Sequence, residues 1–123
     1  MKKAGVSLIL LVTCLLLYYF YPTSPLPGNT TITKLVVIKR KRVLEIYSHE
    51  VLLKTYPIAL GKVPEGKKEI NGDNKTPEGI YIIQDKNPGS AFHKNLGISY
   101  PNQHDLANAE KKNRIAGGEI KIH

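Results

Sequence analysis

A single cysteine in 123 residues rules out an internal disulfide and leaves the redox compartment of the chain unmarked. That residue, Cys14, lies in an apolar stretch near the N-terminus. Cys-His chemistry centred on the C-terminal histidine therefore has no nearby thiol within this sequence. Metal signatures are also missing. His49, His93, His104 and His123 are widely spaced, and neither H-E-x-x-H nor C-x-x-C occurs, so no metal or other cofactor is expected. Surface or hydrogen-bonded structural roles suit His49 and His104. Asn71-Gly72-Asp73-Asn74 lacks the alternating carboxylates and closing glutamate of a calcium loop and reads as a plain turn. No internal repeat, coiled-coil heptad or phosphate-cradling glycine loop is present, which excludes solenoids, long zippers and P-loop nucleotide sites. Acidic residues are few: 10 against 18 Lys and Arg, giving a net charge of +8 and a pI near 9.6. Such a balance favours anionic partners, whether nucleic acid, acidic lipid or an acidic cell-wall polymer.

Charge is absent over a long N-terminal stretch. Lys2 and Lys3 precede an uncharged run over residues 4–21 that is just long enough to span a bilayer, in the lysine-then-apolar order of an export signal. Residues 1–21 are expected to be a membrane anchor or signal segment. As an anchor they form an N-terminal transmembrane helix, contact the inner membrane through residues 4–21 and hold the domain outside the cytoplasm. The alternative is signal cleavage and secretion to the periplasm. The anchor is favoured because the run ends in Tyr18, Tyr19, Phe20 and Tyr21, no A-x-A site follows, and Pro22, Pro25 and Pro27 are poor surroundings for a signal peptidase. Leu11-Val12-Thr13-Cys14 resembles a lipidation box only faintly, since threonine is unusual before the cysteine.

About a hundred residues remain, enough for one small domain. Residues 22–31, rich in Pro, Thr, Ser and Gly, read as a semi-extended linker, and residues 32–123 as the domain. Runs at 34–38, 43–47 and 51–60 are β-rich and form a meander, with Lys39-Arg40-Lys41-Arg42 as a solvated turn. Residues 61–75 hold few apolar side chains and predict a long exposed loop. Thr76-Pro77-Glu78-Gly79 is a turn leading into a strand over 80–83, and Asn87-Pro88-Gly89-Ser90 is another turn. Asp105 can cap a short surface helix over residues 106–113. Gly117-Gly118 then allows a tight turn into an alternating segment with Ile120 and Ile122 on one face and Lys121 and His123 on the other, which presents His123.

Gly61-Lys62, Lys75-Thr76-Pro77-Glu78-Gly79-Ile80-Tyr81, Lys86-Asn87-Pro88, Ser90-Ala91-Phe92-His93-Lys94, Ile98-Ser99-Tyr100-Pro101-Asn102 and Gly117-Gly118-Glu119-Ile120-Lys121-Ile122-His123 together resemble the L,D-transpeptidase catalytic domain of the YkuD type. The likeness runs from about residue 34 to the last. Within the family it is similar to the murein L,D-transpeptidase-like branch of the YafK type, some members of which detach lipoprotein from peptidoglycan. The resemblance implies a mainly β, sandwich-like fold, here incomplete. It also implies a cysteine thiolate that attacks a peptide carbonyl beside a D-centre in a peptidoglycan stem, with a histidine as base and acid. His123 matches the family's catalytic histidine. The family's Ser/Thr-x-Gly-Cys segment, with the nucleophile, would follow shortly after, so the chain reads as truncated before it and inactive alone. Cys14, held in the apolar segment, cannot replace it. An exposed edge at residues 120–123 and a marginal core are expected in consequence.

On the substrate side, Tyr100 and His93 are candidates to line a groove for the stem peptide, with Ser90 and Asn102 as polar contacts. The competing account is that Phe92, Tyr100 and Pro101 pack a loop on the sheet. Three functions remain open: an envelope acyltransferase or lipoprotein-releasing endopeptidase acting on stem peptides, with an outer-membrane lipoprotein as a further partner; a membrane-anchored, non-catalytic peptidoglycan-binding protein; and a basic binder of nucleic acid or lipid surfaces. Export argues against nucleic acid as a partner.

Overall fold

Two β-rich runs on either side of the basic tetrad fold back on each other, and the chain adds a third strand by way of a tight turn. The computed structural model of the protein describes residues 2–20, 25–91 and 94–123. Strands β1 (Lys34–Ile38), β2 (Val43–Ser48) and β3 (Val51–Pro57) form an antiparallel sheet in that order. The β1–β2 connection is a single 3-10 turn over Lys39–Lys41, closed by Arg42 in the left-handed region at φ 53°. Leu44 and Ile46, two apart on β2, are the buried side chains of this sheet, as the period-two geometry of a half-buried strand requires.

The second sheet contains β4 (Ile83–Asn87), β5 (Asn95–Ile98) and β6 (Lys121–Ile122), antiparallel, with β5 central. Residues 80–82 do not form the expected strand, and pairing starts at Ile83. Ahead of it the Ile82 N–H donates to Ser99 Oγ and the Ser99 N–H to the Ile82 carbonyl, both at 2.9 Å. Between β5 and β6 lies helix α2 (Gln103–Lys111). Its cap is Asn102, whose Oδ1 accepts from the Asp105 N–H at 3.0 Å, while Asp105 Oδ2 accepts from the Asn102 N–H at 3.1 Å. Asp105 therefore sits one turn inside, as the reciprocal member of a capping box. The helix buries Asp105 and Ala109 and leaves Leu106 exposed. Tyr100, Ala109 and Ala116 make a small core, with Ile70, Tyr81, Ile98 and Ile120 packed against it.

Two expectations need correction. A β-sandwich with one short helix and a transmembrane helix is not what forms. The described residues build two small three-stranded sheets and two helices. Among the described residues no strand pairing joins the sheets. Lys39, in the turn of the first sheet, donates to the Gly66 and Thr76 carbonyls and to Glu78 Oε1 of the 61–79 segment, which carries too few apolar residues to supply a shared apolar layer. Helix α1 (Lys2–Phe20) has 19 residues, beginning with two lysines. The apolar remainder rises roughly 26 Å at 1.5 Å per residue, short of a hydrocarbon core of about 30 Å. Among the described residues no helix is long and apolar enough to cross a membrane. Of the linker, residues 25–31 carry no helix or strand, with one turn closed by Thr30 N–H to the Pro27 carbonyl.

Candidate functional site

The β5–β6 register brings the chemistry-bearing side chains together. Leu96 pairs with Ile122 and Gly97 with Lys121, so one further step puts His123 opposite Asn95. On the other side of β5, Asn95 pairs with Asn87 of β4. Asn87, Asn95 and His123 thus make a row across the sheet on one face, at the spacing where cross-strand side chains meet. The Ile98 N–H donates to the Ile120 carbonyl. By alternation, Asn95 and His123 then fall at a non-hydrogen-bonded position, where opposed side chains approach most closely.

A concavity of about 580 Å³ opens over this row, lined by Asn87, Gly89, Ser90, Ala91, Asn95, Glu119, Lys121 and His123. The β4–β5 turn supplies one wall. Asn87 Oδ1 accepts from the Gly89 N–H at 3.0 Å, an Asx-type turn that sets the course of the chain into Ser90. Glu119 and Lys121, 3.1 Å apart, form an ion pair at the rim. Asn95 is buried, and its Oδ1 has no hydrogen-bond partner among the described residues.

Of the residues singled out from the sequence, His123 and Ser90 share this concavity. Tyr100 lies in the core, its hydroxyl donating to the Ala116 carbonyl at 3.1 Å and its ring edge-on to Tyr81 at 5.8 Å. Asn102 is the α2 cap. His93 lies outside the described residues. Asn95, Asn87 and Lys121 were not singled out. Asparagine is disfavoured inside strands, so Asn95 at the head of Leu96-Gly97-Ile98 is the one signal that could have pointed to it.

What holds β6 in place comes from the loop expected to be exposed. Gly117, at φ 86°, turns the chain against Asn71, and a Cβ there would meet Asn71 Oδ1 at 3.0 Å. The Asn71 N–H donates to the Ile115 carbonyl at 2.7 Å. Asn71 is fixed in turn by Asp73, which accepts from Lys68 Nζ and from the N–H groups of Glu69, Ile70 and Lys75. Burial alone would raise the Asp73 carboxyl, but the Lys68 ammonium and these three amides outweigh it and hold it well below the usual range. Asp105 behaves alike: burial opposes the charge, and the Asn102 amide, Tyr81 hydroxyl and Lys67 ammonium (3.2 Å from Oδ1) lower it. Tyr100 is pushed up to about 12 by burial, reinforced by the carboxylates of Asp105 and Asp73. Lys39 points inward from the basic tetrad to the Gly66 and Thr76 carbonyls and Glu78 Oε1, at 2.6, 3.2 and 2.7 Å. The tetrad is therefore not wholly a solvated turn.

The row can accept and donate hydrogen bonds beside a histidine at the rim, which suits a peptide laid over the sheet. A second hollow of about 470 Å³, lined by Glu110, Asn113, Arg114 and Ile115, holds no nucleophile or histidine. Among the described residues no cluster of His, Cys, Asp and Glu is of metal-binding size.

A family model described as the L,D-transpeptidase catalytic domain, YkuD, matches residues 33–123. The chain is 34% identical over 77 residues to the protein named "Putative L,D-transpeptidase YafK" of Escherichia coli strain K12, and equally to that of Escherichia coli O157:H7. Each alignment covers 58% of this chain and 31% of the relative, so the chain spans about a third of the length of the curated relatives it matches. No solved structure matches it.

Proposed function

The chain belongs to the L,D-transpeptidase catalytic-domain family, and from that premise we propose that residues 32–123 form the histidine-bearing part of a cell-envelope acyltransferase acting on peptidoglycan stem peptides. The observation that carries the reading is His123 at the end of β6, lining one concavity with Ser90. In this mechanism a cysteine thiolate attacks the stem carbonyl beside a D-centre. The C–N bond breaks, the imidazolium of His123 gives its proton to the departing amine, and a thioester remains. An acceptor amine, or water in the endopeptidase variant, then loses a proton to His123 as it attacks, and the thiolate is restored. Where the acyl partner is an outer-membrane lipoprotein, the same steps attach or release it.

Cys14 is the sole cysteine of the sequence and lies within α1, and the family's Ser/Thr-x-Gly-Cys pattern does not occur in these 123 residues. The thiolate in this proposal is therefore supplied by a segment outside them. Reading the coding DNA past the His123 codon in all three frames tests this directly. A glycine-cysteine motif a short way downstream is the expected result. The extended protein should then transfer acyl groups from stem tetrapeptide, and His123→Ala should lower the rate by about 10²- to 10⁴-fold. An extended protein that is inactive on stem peptides, or indifferent to loss of His123, would sink the acyl-transfer reading. A second reading, non-catalytic peptidoglycan binding, is favoured by the same concavity and is identified by affinity without turnover.

A further inference from the structure

Glu119 occupies backbone that suits glycine. Its φ is 55°, in the left-handed region where a Cβ is crowded and glycine is at ease. Its ion pair with Lys121 leaves the Glu119 side chain 88% exposed and that of Lys121 32%. Pairs so open to water are screened and contribute little to stability. Neither backbone preference nor the ion pair therefore accounts for a glutamate at this position. What the residue has is its place: Glu119 and Lys121 both line the concavity that holds His123. By alternation Lys121 shares its face with His123, their Cα atoms roughly 7 Å apart along the strand.

Two opposite charges side by side select the ligand's chemistry. A bare anion drawn to Lys121 meets the Glu119 carboxylate, and a bare cation drawn to Glu119 meets the Lys121 ammonium, so each attraction is offset by a repulsion. A group with an ammonium and a carboxylate on one carbon satisfies both, head to tail, without parting the pair. The pair engages Oε2 of Glu119; a carboxylate has a second oxygen and an ammonium has three protons, so each partner keeps capacity for a ligand. We propose that Glu119 and Lys121 are specificity-determining residues that bind a zwitterionic amino-acid head on the side chain of a stem residue next to the scissile bond, Glu119 taking its ammonium and Lys121 its carboxylate. This rests on the peptidoglycan reading above and adds to it which stem the site prefers.

The test uses the full 123-residue chain and three stem tetrapeptides that differ only at the end of the third side chain: the amino-acid head, an amine alone, or a carboxylate alone. Affinity is read by calorimetric titration. The wild-type chain should bind the stem with the amino-acid head about three- to fivefold more tightly than either of the others, and added salt should shrink the margin. Glu119→Gln should bind the amino-acid head and the lone carboxylate equally, and Lys121→Met the amino-acid head and the lone amine equally. A merely structural role for the pair would instead weaken all three stems alike. Lys121→Arg keeps the charge and should retain the margin. Thermal melts check the fold, and Glu119→Gln, at the more exposed side chain, carries the test if Lys121→Met unfolds. Equal affinity for the three stems in wild type, or an unchanged ranking in either Glu119→Gln or Lys121→Met, overturns the role of the pair and leaves the peptidoglycan reading intact. A wild-type chain that binds none of the stems overturns both.

Discussion

Lys68 Nζ lies 2.8 Å from Asp73 Oδ1 with both side chains largely out of solvent, 7% and 12% exposed. This pair sits within a stretch whose composition predicts an open loop, and it sets the position of Asn71 beneath the turn that leads to His123. Because the folded Asp73 carboxyl is held below its unfolded value of about 3.9, its contribution is complete above that value. It is lost as pH falls through and below it, as more protons bind the unfolded chain. Asp105 is shifted the same way and adds to the effect. The thermal midpoint should be level near neutrality and fall steeply below about pH 4. Asp73→Asn should melt lower at pH 7 and show a flatter acid limb; a profile as steep as wild type would show that other carboxylates dominate. Asp73→Ala strands the Lys68 ammonium and should cost about 3 kcal/mol.

Lys39→Met leaves three acceptors without their ammonium and should destabilise the chain by about 2 kcal/mol. Arg40→Ala and Lys41→Ala, on the exposed side of the same turn, should stay within about 0.5 kcal/mol. Hydrogen exchange localises the effect: amides of residues 66–79 should lose protection in Lys39→Met and in neither control. Equal effects from all three variants would mean that net charge, not the staple, is what matters.

Gly61→Ala drives a methyl into the carbonyl of Asn74, backbone against backbone, where the Gly61 N–H also donates to Thr76 Oγ1 at 2.9 Å. The expected loss is about 1–3 kcal/mol. Gly118, with nothing within 4 Å of its would-be Cβ, should accept alanine within about 0.5 kcal/mol. Denaturant midpoints of the two variants decide this, and equal midpoints would argue against the close approach.

Asn102→Ala removes one half of the α2 capping box and should cost about 1 kcal/mol. Tyr81→Phe deletes one of the donors to Asp105 Oδ2, at 2.9 Å, and should cost about as much. The two share Asp105 as a partner, so the double variant should depart from additivity by 0.5 kcal/mol or more. Strict additivity in urea melts would show that Asp105 is not the link.

Much of this was legible in the sequence. The β-rich runs at 34–38, 43–47 and 51–60 marked the first meander, because strand composition and tight turns are local properties. The series of motifs ending in Ile120-Lys121-Ile122-His123 pointed to the family. The start of β4 at Ile83 and the identity of the α2 cap were misjudged by a few residues, since ends depend on competing partners that pattern does not weigh. Tyr100 and Asn102 lie in a motif-rich stretch. There the structure uses Tyr100 for packing and Asn102 for capping.

Other features could not have been read at all. Lys39 looks like its neighbours Arg40 and Lys41 in one dimension, and only the return of residues 66–78 against the 3-10 turn gives it acceptors. Asp73 gains its depressed acidity from amides that converge only when the loop closes. The sequence by itself determined the periodic elements, the turn chemistry and the family, because these rest on near-neighbour sterics and on motifs fixed along the chain. The tertiary structure decided which polar residues became internal and that Asn95 would stand across from His123, because the pairing of β5 with β6 joins segments far apart in sequence and only folding brings them into register.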